Sequence, residues 1–280
     1  MEHIEVVHQN YHMQGFSSYN GFMYWSFTDS LVKTTLSGTV KRQTEVHGGH
    51  LGDIDCFRGK IYASFLGFPG EGKVWDDWSS FRIKVYDCET LEQTADINLD
   101  ICDRYKAIAG SESDTRGFRG VDGVAFGKDP STGADSMFVA CAVLTDERFS
   151  DQIILQFTPE GDYLREYRIP TGNTVFGIQN LDCDPETGEF WFSTYGREKP
   201  YQPRETLYRI TPDLKRIAAK YEFSSPYGFE CMGGGKYRAS LQGGVNGDRC
   251  GTAYVCDGSF FNTVKSESEI NAYINGLLNG

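Results

Sequence analysis

The sequence lacks the features that mark several large classes of protein. It has no run of 18 or more consecutive apolar residues, which leaves no candidate for a membrane-spanning helix. No Lys/Arg block interrupts a chain of net charge −12, so a phosphate backbone would be repelled and nucleic acid is not expected as a partner. The opening residues, Met1-Glu2-His3-Ile4-Glu5, have neither the basic start nor the apolar stretch of a secretory signal. Eight cysteines are present, but none are spaced C-x-x-C, so zinc and dithiol spacings are absent. Eight thiols spread through 280 residues read as buried side chains in a reducing compartment, and a cytoplasmic location is expected. A disordered composition is missing too: 39% of residues are hydrophobic and only 24% charged, enough for a sizeable core.

What the chain does have is aromatic residues, at 14%, and 32 glycines, a pairing suited to many short strands joined by tight turns. The strands repeat at intervals of roughly 35 to 60 residues, with loop insertions between copies. Each copy opens with a strand, a turn and a second, aromatic-rich strand. Copy one runs from His12 to Gly21 and then Phe22 to Phe27, and copy two from His50 to Gly59 and then Lys60 to Phe65. Copy three runs from Gly120 to Phe126 and then Met137 to Cys141. Copies four and five run from Gly177 to Cys183 then Phe190 to Thr194, and from Pro226 to Cys231 then Lys236 to Leu241. One aligned position holds Phe16, Ile54, Val124, Leu181 and Phe229. Two residues later come Ser18, Cys56, Phe126, Cys183 and Cys231, so three cysteines share one place in the repeat, which points to packing. A third strand ending in a turn signal follows in each copy, for example Ile154 to Gly161 and Leu207 to Asp213. A fourth strand then completes the unit.

Four strands per copy repeated radially predict an all-β, five-bladed β-propeller spanning residues 1–265, with a sixth degenerate blade as the alternative count. Residues Ile4 to His8 are expected to supply the outermost strand of the short fifth copy and close the ring. From Ser266 a capping box with Glu269, then Ile270, Tyr273, Ile274, Leu277 and Leu278 on one face, predicts a short C-terminal helix (266–280) docked on the propeller.

Polar residues cluster at the aligned starts of the copies, where innermost strands would meet one mouth of a central channel. His12 and His50 are equivalent. Gln14, Asp122, Gln179 and Tyr227 share one position, and Asp53 and Asn180 share the next, where the other copies have glycine. As candidate catalytic groups, His50 and His12 suit acid/base work because imidazole titrates near neutral pH, with Asp53 or Asp122 to orient an imidazole or take a proton. Gln14, Gln179, Asn180 and Tyr227 are candidate substrate-binding groups. Trp75, Arg148 and Arg197 add an aromatic and basic rim from the loops, where a tryptophan can stack on a sugar and an arginine can fork onto a carboxylate. The alternative is that the ring of polar groups ties strands together across the channel. The cofactor is left unknown: a divalent metal, either Ca²⁺ on Asp53, Asp122 and Asn180 or a transition ion on imidazoles and carboxylates, is compatible with these residues but not required by them. Asp55, Asp182 and Glu230 recur at one blade position, and recurrence indicates a strand-linking role, since a catalyst is needed once.

The copies resemble blades of the NHL, SMP-30 and related short-blade propellers over nearly the whole chain. Met13-Gln-Gly-Phe16 also resembles a blade start of the five-bladed plant-type glutaminyl cyclases. Where that family has Gly-Glu-Gly in the next blade, this chain has Gly52-Asp53-Ile54. The resemblance implies Asp53 as an acid/base candidate. The leading expectation is an enzyme acting on a small polar, carbohydrate-derived molecule by lyase or hydrolase chemistry. The alternatives are a non-catalytic ligand- or protein-binding propeller and a glutaminyl cyclase-like acyltransferase. The sequence leaves the oligomeric state open.

Overall fold

A computed structural model describes residues 3–5, 9–67, 82–99, 118–143, 151–195 except 173 and 175, 206–245 except 224 and 226, and 247–263. These residues form five four-stranded antiparallel sheets, which bears out the five-bladed propeller over a six-bladed one. Blade one is β2 (Met13–Tyr19), β3 (Phe22–Phe27), β4 (Ser30–Thr35) and β5 (Val40–Glu45). Blade two is β6 (Gly49–Phe57), β7 (Lys60–Gly67), β8 (Arg82–Asp87) and β9 (Gln93–Asn98). Blade three is β10 (Phe118–Lys128), β11 (Asp135–Val143), β12 (Gln152–Phe157) and β13 (Tyr163–Ile169). Blade four is β14 (Ile178–Cys183), β15 (Phe190–Thr194), β16 (Leu207–Ile210) and β17 (Ile217–Tyr221). Blade five takes β18 (Phe229–Gly233), β19 (Lys236–Val245) and β20 (Asp248–Asp257), and its outermost strand is β1 (His3–Glu5) from the other end of the chain. Ile4 pairs with Ala253, so the ring closes by sheet hydrogen bonds and the last blade keeps no bare edge there. Among the described residues the closing strand is His3–Glu5, and Gln9 adds an antiparallel bridge to Arg249; residues 6–8 of the anticipated Ile4-to-His8 stretch lie outside the described residues.

Local sequence explains the hairpins. Asn20-Gly21 and Arg58-Gly59 both take positive φ (49° and 79°; 50° and 78°), the two-residue turn whose twist matches its strands. The Asp87, Asp129 and Asp184 carboxylates each accept backbone N–H groups two and three residues on and hold the corresponding turns. Strands near the axis are buried on both faces, whereas the outermost, such as β5 and β9, read almost wholly polar.

The core is not central. It lies in five apolar clusters, one between each pair of neighbouring blades. Trp25 and Phe16 fill the seam between blades five and one, and Trp191 the seam between blades four and five. Burying each such side chain contributes about 1.5–3 kcal/mol. Cys56, Cys183 and Cys231 lie in or against three different seams, as their shared repeat position requires. After β20 a single helical turn, α1 (Phe260–Thr263), drops Phe260 and Phe261 into the blade-four/blade-five seam, a contact the repeat pattern did not foretell. The expected helix 266–280 lies outside the described residues.

Candidate functional site

In four of the five blades the innermost strand carries a β-bulge at the same place. Two residues there (14–15, 52–53, 122–123, 179–180) oppose a single residue of the second strand. A bulge re-aims side chains, and here it turns the polar positions of the repeat toward the axis. The residue opposite is Ser26, Ser64, Ala140 or Ser193, with Ser240 equivalent in blade five. The Ser26 and Ser64 hydroxyls donate to the bulge carbonyls of Gly15 and Asp53 (3.3 Å each), and Ser193 donates to the Asn180 side chain (3.2 Å) and to the Ser225 carbonyl (2.8 Å). Sequence reasoning missed these serines. Their recurrence at one position of the second strands was the available signal.

The sequence-predicted residues come together in a closed ring. The Gln14 amide nitrogen lies within hydrogen-bond distance of His50 Nε2 (3.0 Å), His12 Nδ1 (2.9 Å) and Thr28 Oγ1 (3.1 Å), joining blades one and two. The His12 ring meets His50 at 6.2 Å between centroids and Tyr227 of blade five at 6.1 Å. Tyr227 meets Tyr195 of blade four at 6.0 Å, and Tyr195 meets Phe176 at 6.4 Å. Gln179 donates to the Phe176 carbonyl (3.3 Å), and its side chain lies near the Asp122 carboxyl of blade three. Asp122 in turn sits against Gly52 of blade two, where a Cβ would lie 2.4 Å from its Oδ1. All five blades thus contribute to one polar and aromatic ring.

Beneath the ring, Asp53 and Asn180 form a floor. Asp53 is 2% exposed. Its carboxylate accepts from the backbone N–H groups of Leu181 (3.0 Å) and Val124 (3.3 Å) and from Asn180 Nδ2 (3.1 Å). Asn180 Nδ2 also donates to the Gln14 carbonyl (2.7 Å), so these two side chains join four blades across the axis. A Cβ at position 15 would lie 2.2 Å from Asp53 Oδ1, which is why glycine stands there. The Asp53 oxygens are taken by strand N–H groups and Asn180.

The electrostatics follow from burial. His50 is lowered to about 3, first by desolvation and then by His12, and His12 is lowered by its own burial. Both imidazoles are therefore neutral at neutral pH, not poised to titrate there. Asp122 is 5% exposed, and burial raises its carboxyl well above the usual range against the opposing Gln179 hydrogen bond. Asp53 is raised for the same reason, opposed by its N–H donors. Asp122 Oδ1 is buried with no hydrogen-bond partner among the described residues.

Two residues further along the innermost strands, a second set of carboxylates staples neighbouring blades. Asp55 accepts from Phe126 N (2.7 Å) and Ser17 Oγ (3.1 Å), Asp182 from Cys231 N, and Glu230 from Ser18 N (2.7 Å) and Arg238 (2.6 Å).

Among the described residues no three or more His, Cys, Asp or Glu side chains converge as metal ligands, and Asn180 turns its Nδ2 toward Asp53 Oδ1. Trp75, Arg148 and Arg197 lie outside the described residues. No described helix is long and apolar enough to cross a membrane.

No protein-family model and no curated protein sequence matches the chain. Solved structures do. The glutaminyl cyclase of Myxococcus xanthus is similar over 92% of this chain and 95% of its own, with 10% identity and a TM-score of 0.54. A chain of the nidogen/laminin complex is similar over 89% of this chain and 76% of its own (13% identity, TM-score 0.50). The PQQ-bound aldose sugar dehydrogenase of Streptomyces coelicolor matches less closely, at 14% identity and a TM-score of 0.47. The fold is a five-bladed β-propeller. An enzyme and a chain of the nidogen/laminin complex both appear among these neighbours, and identities this low speak to architecture alone.

Proposed function

We propose that this protein is an enzyme that acts on a small, uncharged polar molecule, most consistently a carbohydrate derivative, by acid/base chemistry in the ring at the mouth of the channel. One observation carries the reading: Asp122 brings a buried carboxyl, one oxygen unmatched among the described residues, into a ring contributed by all five blades. A buried carboxyl that holds its proton more tightly than usual suits a general acid, and the neutral His50 and His12 are proton acceptors and hydrogen-bond partners. With both imidazoles lowered and both carboxyls raised, the ring's own side chains favour their neutral forms, and Arg249 is the cation that bears on His12. The complement of such a ring is a neutral molecule rich in hydroxyl or amide groups. Phe176 supports a sugar-like shape. It holds a left-handed backbone (φ 60°) that costs a non-glycine residue energy, and its ring is 38% exposed beside Tyr195, a flat apolar face for a pyranose.

The test is a thermal-shift screen of neutral saccharides and glycosides with product detection by NMR. A ligand at 100 times its dissociation constant adds about 2.7 kcal/mol of stability. Turnover that disappears in Asp122→Asn supports the reading. Binding without any product would instead make this a recognition propeller.

A second reading, amide-directed acyl transfer, is favoured by Gln14 within Met13-Gln-Gly-Phe16 and by the architecture shared with the Myxococcus glutaminyl cyclase. A peptide with N-terminal glutamine, assayed for ammonia release, separates the two. A small-molecule substrate and a cytoplasmic setting are part of the same proposal.

A further inference from the structure

The ring sets one buried amide between two imidazoles, and the hydrogens available there can be counted. The Gln14 amide nitrogen has three polar side chains within reach: His50 Nε2 at 3.0 Å, Thr28 Oγ1 at 3.1 Å, and His12, with Nδ1 at 2.9 Å and Nε2 at 3.2 Å. An amide nitrogen carries two hydrogens, so it cannot serve all three. The count starts from a group that has no choice. His12 Nδ1 also faces the Met13 carbonyl at 3.2 Å, and a carbonyl only accepts. An imidazole nitrogen has one in-plane site, so the carbonyl places the single proton of neutral His12 on Nδ1 and leaves Nε2 a bare lone pair. A Gln14 oxygen 3.2 Å from that lone pair would be repelled, whereas an amide NH₂ is not. With the amide turned this way, its two hydrogens go to the two nearer remaining acceptors, His50 Nε2 and Thr28 Oγ1. Thr28 is itself fixed by both histidine-bearing strands. Its N–H donates to the His12 carbonyl (3.3 Å), and its carbonyl accepts from the N–H of Leu51, the residue after His50 (2.9 Å).

We propose that Gln14 is a positioning residue that divides the two imidazoles: its amide caps His50 Nε2, and His12 Nε2 is left as the ring nitrogen that takes a proton from substrate. The role of His12 rests on the acid/base reading above, whereas the hydrogen-bond assignment stands on geometry alone. Burial follows the same division. Gln14, Thr28 and His50 are buried at 4%, 3% and 5% exposure, and His12 is half-buried. Burial lowers His12, its bond to the Met13 carbonyl raises it, and Arg249 lowers it again. When a substrate hydroxyl gives its proton to His12 Nε2, the bonding pair stays on the hydroxyl oxygen. The imidazolium that forms keeps its Nδ1–H on the Met13 carbonyl.

The experiment labels the histidines of the full chain with ¹⁵N and records two-bond ¹H–¹⁵N correlation spectra at neutral pH without ligand, which show the ring nitrogen that holds each proton. His12→Gln and His50→Gln assign the signals among the five histidines. Both His12 and His50 should be protonated at Nδ1 and bare at Nε2. An Nε2–H on either one would overturn the proposal, because Gln14 would then have to present its oxygen. In Gln14→Glu, close to the same shape, the donor is gone, and the His50 Nε2 signal should move to that of a protonated nitrogen. A His50 signal that stays in place would overturn the capping role. Where this variant fails to fold, the wild-type spectrum alone decides. Diethyl pyrocarbonate, which acylates a bare and reachable ring nitrogen, should mark His12 and spare His50; the opposite labelling would count against the division. These measurements need no substrate. A saccharide screen without turnover would therefore remove the reaction and leave the assignment, and a wrong tautomer would do the reverse.

Discussion

Two sets of residues on the same innermost strands, three positions apart in the aligned copies (Gln179 and Asp182, Tyr227 and Glu230), are built on opposite rules. In the deeper layer, Asp55, Asp182 and Glu230 do the same task in blades two, four and five, their oxygens taken by an N–H, a hydroxyl or Arg238 of their own or a neighbouring blade. In the outer layer the combination differs from blade to blade: His50 and Gly52, Gln14 and His12, Tyr227, Gln179, Asp122. Repetition serves ring closure, because like interfaces between blades take like staples. Departure from the repeat is where a single chemistry can be placed. The floor between them, Asp53 and Asn180, belongs by its hydrogen bonds to the stapling side although its residues are non-repeating.

The comparison is broken most forcefully at Asp53. Replacing it by alanine strands N–H donors of blades three and four in a site closed to water, and stability should drop by about 3 kcal/mol or more, read from urea unfolding. An unchanged midpoint would remove Asp53 from the scaffold. Asp122→Asn should behave inversely, with turnover of whatever substrate the screen finds falling about 100-fold or more while the urea midpoint moves little. Equal loss of stability in both variants would erase the distinction between layers.

The staples carry a pH signature. Burial first, with help from Glu230, raises Asp55 from 3.8 to about 6, against its Phe126, Cys56 and Ser17 donors. The folded chain thus holds this proton more tightly than the unfolded one. The carboxyl's contribution is complete below about pH 3.8 and is lost as pH climbs through about 6, a change of about 3 kcal/mol. Asp55→Asn should flatten stability over that window, and an unaltered slope would assign the effect elsewhere. The smallest effect belongs to an exposed tie between the same two blades. Arg58 to Asp135 measures 2.6 Å, but Arg58 is 69% exposed, so Asp135→Asn should cost no more than about 0.5 kcal/mol.

Much of this could be read from the residues alone. Blade starts, the linking role of Asp55, Asp182 and Glu230, and the gathering of His12, Gln14, His50, Asp122 and Gln179 all followed from aligning the copies, because radial repetition converts equivalent positions into neighbours. The alignment could not show that Asp53 faces backbone N–H groups and not an imidazole. Nor could it show that both histidines are neutral, since desolvation depends on what the other four blades place around the axis. Phe176 escaped notice because its positive φ has no signature in a phenylalanine, and α1 because no copy repeats it.

Strand count, ring closure and the polar mouth were determined by the sequence, since period-two alternation and glycine turns act locally and recur five times. Only the tertiary structure decided which carboxyl is saturated and which keeps an open oxygen. Such properties arise where segments far apart in the chain exclude water together, and exclusion of water is what sets the strength of a charge or a proton.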